Sequence, residues 1–139
     1  MCPWLNEATA GGALGGPVTV SITHTGKDND DANCEFTHRE GSVVMTLRIE
    51  VETMAAPAAA YRSFTARCTP DAQPLRAIGN QAIVCSLAGK KREISEQVIG
   101  RVRDRAFVVR VTSSTDSLER TTLRTKARRV AEQVAGFLF

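Results

Sequence analysis

Aromatic side chains are scarce in this sequence, 5% of residues with a single Trp and a single Tyr, and histidine occurs only twice. That scarcity weighs against a sheet that reads RNA, because such sheets stack bases on exposed rings. No run of about 18 apolar residues is present, so no transmembrane segment is expected. The apolar centre of a secretory leader is missing too. No C-x-x-C or H-x-x-x-H pair occurs, which argues against zinc. There is no Gly-x-Ser-x-Gly elbow and no Ser-x-x-Lys pair to carry a nucleophile. The stretch Gly11-Gly12-Ala13-Leu14-Gly15-Gly16 is glycine-rich, but it fits neither phosphate-binding pattern and precedes a strand instead of following one. No cofactor, no metal and no catalytic set is expected.

What remains is an ordinary globular composition. The chain has 139 residues, 42% hydrophobic and 24% charged. That length predicts one domain over residues 1–139, burying roughly 68% of its unfolded surface. The net charge of +3 is below the footprint of a dedicated nucleic-acid binder.

Periodicity predicts an α+β fold. Residues 6–15 read as a short helix with Asn6 as its N-cap and Gly15-Gly16-Pro17 as its stop. Val18, Val20 and Ile22, then Cys34 and Phe36, then Met45, Leu47, Ile49 and Val51 alternate with polar neighbours, the pattern of strands with one face on a core. Residues 57–68 switch to helical spacing, with Ala60, Phe64 and Cys68 on one face. Residues 69–80 read as a long loop and a candidate contact surface. Three more strands follow around Ile83–Leu87, Ile94–Val102 and Phe107–Val111. A last helix runs from Asp116 to Phe139, with Leu118, Leu123, Ala127, Val130, Val134, Phe137 and Leu138 toward the core. Its Arg120, Arg124 and Arg128 form a stripe that reads as the solvated face. The expected order is α-βββ-α-βββ-α, an antiparallel sheet of about six strands, with a weak hint of internal duplication.

Few residues suggest chemistry. His24 and His38 flank the first hairpin loop and would approach each other across it, near Asp28-Asn29-Asp30-Asp31. That acidic run fails the EF-hand pattern, with Ala32 and Asn33 at its fifth and sixth positions. A solvated hairpin tip is the simpler reading. Glu96 alternates with Ile94 and Val98 onto the apolar side, where a carboxylate is a functional flag or a sign of an edge or bulge. Arg48, Arg101, Arg103 and Arg110 fall on the outer sheet face or its edges and form a candidate contact surface for a protein, without the aromatics that nucleic acid would need.

The four cysteines, Cys2, Cys34, Cys68 and Cys85, are an even set, and they allow three pairings. Disulfides in turn imply an oxidising compartment. Cys68 on its helix face and Cys85 on its strand both point inward, so a Cys68–Cys85 bridge would tie helix to sheet. Met1 directly precedes Cys2-Pro3-Trp4, so a mature exported domain would start abruptly here, with Met1 in place of a removed signal.

Cys2-Pro3-Trp4-Leu5 leading into a helix that ends Leu14-Gly15-Gly16-Pro17, the strand Cys34-Glu35-Phe36, and Ile78-Gly79-Asn80-Gln81-Ala82 together resemble small bacterial envelope domains. These include secreted lipoproteins of actinobacteria, and their fold is PsbP-like. The resemblance implies export to the periplasm or cell envelope, a staple between the N-terminal segment and the second strand, hence Cys2–Cys34, and no established activity. A second cysteine pair departs from that pattern. The expectation is a non-catalytic binding or accessory module meeting an unknown protein or envelope component. Two further expectations stand beside it. One is a small-ligand carrier or enzyme with a pocket between the last helix and the sheet; the other is a homo-oligomer joined through the outer sheet face.

Overall fold

The computed structural model describes residues 1–24, 31–68 and 71–139. Its elements run α1 (Glu7–Leu14), β1 (Thr19–His24), β2 (Ala32–Glu40), β3 (Val43–Thr53), α2 (Pro57–Thr65), β4 (Gln73–Pro74), β5 (Gln81–Leu87), β6 (Ile94–Val102), β7 (Arg105–Ser113) and α3 (Arg120–Leu138). The α+β class is as expected, but the sheet has seven strands, not six, in the order β1-β2-β3-β7-β6-β5-β4. Every neighbouring pair is antiparallel. The extra strand, β4, lies inside the stretch expected to be loop. Two residues are too short to show a period, and Pro74 can sit there because an edge strand need not donate on both sides.

The meander β1-β2-β3 and the meander β5-β6-β7 meet through their last members, β3 and β7, and the short β4 extends only the second of them. α1 and α3 cover the face that carries Phe36, Leu47, Ile49, Val98, Phe107, Val109 and Val111, and α3 contributes Leu123, Ala127, Val130, Ala131, Val134 and Leu138 to this main core. α2 packs on the opposite face, where Tyr61 and Phe64 meet Ile99, Ala106 and Val108. β6 is therefore covered on both sides, and Ile94 through Gly100 are all buried. A doubly covered strand has no solvent face to pattern, so its alternation is weak in the sequence.

Two disulfides are present, Cys2–Cys34 and Cys68–Cys85. The first holds the N-terminal segment onto β2, where the Trp4 indole N–H also donates to the Ala32 carbonyl at 3.1 Å. α1 follows at once, capped by the Asn6 side chain, which accepts from the Thr9 N–H at 2.7 Å. The second bridge joins the exit of α2 to β5. Cys68 lies beyond the helix, which ends three residues earlier than its spacing suggests, and it meets the smaller core on the α2 face.

α3 starts at Arg120 instead of Asp116. The hydroxyls of Ser117 and Thr115 bond each other at 2.6 Å, and the N-cap residue is Glu119, which makes no side-chain capping bond. Leu118 thus precedes the helix and is 37% exposed, and Phe137 is 63% exposed, against the expected inward positions of both. Among the described residues no helix is long and apolar enough to cross a membrane.

Gly100 stands opposite Phe107 in the β6–β7 register. A Cβ there would fall 2.3 Å from the Phe107 ring, which is fully buried. Gly100→Ala is expected to cost about 1–3 kcal/mol by overpacking. Urea unfolding would show it as a lower midpoint with an unchanged slope.

Candidate functional site

One cleft of mixed apolar and polar lining lies where three distant segments meet. β2 places Phe36 and His38 on the main face, and β3 sets Met45 opposite His38. α1 ends there with Leu14. Ser117 and Leu118, before α3, and Thr122 and Lys126, on its first turns, close the far side. Together with Glu40 and Val43 these residues line a cleft of about 480 Å³. That volume falls within the usual range of small-molecule sites. Leu14 and Met45 are buried and form an apolar floor.

His38 is the chemically distinctive wall. It is buried, at 7% exposure. Nδ1 lies 2.7 Å from the Pro17 carbonyl oxygen, which can only accept, so the proton of the neutral ring is assigned to Nδ1. The other ring nitrogen, Nε2, is buried and makes no hydrogen bond among the described residues. The nearest opposite charge is the Glu40 carboxylate at 3.7 Å, on a side chain that is 83% exposed. The ring lies close against Gly16, where a Cβ would fall 2.5 Å from its Cε1. Opposite it, the Lys126 ammonium donates to the Ala13 carbonyl at 2.6 Å, at the C-terminal end of α1 where carbonyls lack helical partners. Two N–H groups of that ammonium remain beyond this bond. The cleft thus has an apolar floor, an ammonium in its wall and an exposed carboxylate at its rim, with the buried His38 ring behind them.

The histidines do not approach each other. His24 pairs with Ala32 and His38 lies six positions further along β2, so they stand at opposite ends of the hairpin. Of the acidic run, Asp28, Asn29 and Asp30 lie outside the described residues, while Asp31 accepts from the Thr53 N–H at 3.1 Å and its hydroxyl at 2.8 Å. Thr69 and Pro70 of the expected contact loop also lie outside them.

Glu96 is on the apolar face, as its alternation suggests, and only 1% exposed. Its Oε1 accepts from Arg124 Nε at 2.7 Å and its Oε2 from Arg120 Nη1 at 3.1 Å. Arg120 also reaches the Ser95 carbonyl at 3.2 Å, and Arg124 the Ser86 hydroxyl at 3.3 Å. The arginine stripe is therefore only in part a solvated face: Arg120 and Arg124 remain partly exposed but pair with Glu96 on the sheet, while Arg128 pairs with Glu132. A carboxylate buried on β6 needs counter-charges, and the first turns of α3 supply them.

The four arginines of the expected contact surface are not gathered in one patch. Arg48 and Arg110 face each other across β3–β7. Arg48 is paired with Glu35 at 3.1 Å and Glu50 at 3.8 Å, and Arg67, after α2, also reaches Glu50. Arg110 donates to Gln97 at 3.4 Å. Burial pushes its guanidinium below the usual pKa, Glu50 opposes that shift, and Arg48 and Arg67 add to it. Arg101 sits four positions along β6 from Gln97 and binds Gln81 and the Arg103 carbonyl. Arg103 occupies the β6–β7 turn with φ 55°, its N–H donating to Asn80. These two arginines serve their own turn.

The cleft was not visible from any one segment. One local signal existed: His38 continues the inward alternation of Cys34 and Phe36, which marks a buried histidine. Comparison with protein-family models and with curated proteins finds no match for this chain.

Proposed function

We propose that this chain is an exported, non-catalytic binding domain of the bacterial cell envelope, PsbP-like in architecture, that seats a small, partly apolar molecule in the cleft between α3 and the sheet. The cleft carries the proposal: about 480 Å³ of space over Leu14 and Met45, with His38 and Lys126 in its walls. A pocket with an apolar floor and few placed polar groups is the usual form of a small-molecule site. Export is supported by the two disulfides, which persist in oxidising compartments and are rare in the cytosol.

Ligand-observed NMR with a library of small amphipathic fragments tests the proposal. Fragments are expected to bind the native protein and to lose roughly tenfold or more in affinity for Leu118→Trp, about 1.4 kcal/mol or more. Leu118 is 37% exposed, so the larger ring fills the cleft mouth without entering the core. Fragments that bind both proteins equally, or a library that binds neither, would overturn it.

A further inference from the structure

We infer that two copies of the protein join through the outer edge of β1, which pairs with no strand among the described residues, their sheets running on across an antiparallel β1–β1 pair centred on Ser21. The two edges of the sheet are built differently. β4, at one end, is two residues long and contains Pro74, both common devices for blunting an edge. β1, at the other, is six residues, Thr19-Val20-Ser21-Ile22-Thr23-His24, with no Lys, Arg, Asp, Glu, Pro or Gly. Its register with β2 is unbroken from Thr19 to His24, so no bulge twists the edge away. A strand of this kind is a template for another strand.

The sequence of β1 favours a second copy as that strand. About a two-fold axis, any charge near the axis meets itself, and β1 carries none. Opposite Ser21 on β2 stands Glu35, and it is already paired with Arg48. Residues opposite each other in an antiparallel pair share a face, so the register must keep odd positions with odd and even with even. Centring on Ser21 sets Val20 against Ile22 of the second copy, Thr19 against Thr23, and Ser21 against itself. Val20 and Ile22 are half-buried on the core face, where the pairing would extend the apolar row, while the hydroxyls match on the outer face. Aliphatic and Thr–Thr neighbours are favourable cross-strand pairs. A six-residue seam is smaller than a standard interface, so a weak, concentration-dependent dimer is expected. This seam is separate from the cleft and stands or falls without it.

Sedimentation equilibrium across a concentration series, with Ser21→Lys beside the native protein, tests the inference. The native protein is expected to form dimers that Ser21→Lys, with like charges on the axis, abolishes. Under mild oxidation Ser21→Cys is expected to cross-link several-fold more than Arg129→Cys, an exposed control on α3. A native protein monomeric at every concentration would overturn the inference. So would a Ser21→Lys dimer as strong as the native one, or equal cross-linking of the two cysteine variants.

Discussion

Replacing Arg120 and Arg124 together by alanine is expected to lower the unfolding free energy by about 3–5 kcal/mol, the scale for stripping a buried charge of its partners. Glu96 is 1% exposed and has these two guanidiniums as its ion-pair partners. Either single replacement leaves one of them in place, so each should cost clearly less than half of the double. The losses will therefore not add, as expected for residues in one network. Adding Glu96→Leu to the double variant should recover much of the loss, because an apolar side chain fits among Ile94, Val98 and Leu123 without needing a counter-charge. Urea unfolding of the four variants decides the matter. A triple variant no more stable than the double would show that the arginines act through packing of their stems and not through the carboxylate.

Removing either disulfide is expected to cost about 3–4 kcal/mol by the chain-entropy relation, since the sequence separations are 32 and 17 residues. The two losses should differ in what else they change. Cys2→Ala with Cys34→Ala frees the segment that delivers α1 to the sheet. Leu14 at the end of α1 lines the cleft, Gly16 backs the His38 ring and Pro17 holds its Nδ1. Fragment binding should therefore weaken along with stability. Cys68→Ala with Cys85→Ala loosens α2 on the opposite face, among Tyr61, Phe64 and Ile99. Stability should fall while the cleft keeps its ligands. Fragment affinity that drops equally in both double variants would break the assignment of the cleft to the α1 side of the sheet.

Much of the architecture was legible in the sequence because it rests on local periods. The alternation over Val43–Thr53 and the helical spacing from Leu123 to Leu138 survive in β3 and α3. Glu96 was placed on the correct face by parity alone. What was hidden depends on contacts between distant segments. Arg120 and Arg124 look solvated until Glu96 is known to lie beneath them. α2 covers the outer face of β6 and β7, and no pattern within α2 says which side of the sheet it takes. The early start expected for α3 failed: Thr115 and Ser117 close on each other in a turn, and the helix begins only after Glu119. The cleft needs Leu14, His38 and Lys126 side by side, from α1, β2 and α3, and each alone reads as an ordinary core or surface residue.

Export of a domain held by two bridges underlies the functional proposal, and the thiol state of the protein in its native host tests it most directly. Alkylation before lysis, followed by non-reducing peptide mass mapping, should find none of the four cysteines alkylated and linked peptides for Cys2–Cys34 and Cys68–Cys85. Four alkylated thiols would contradict the account.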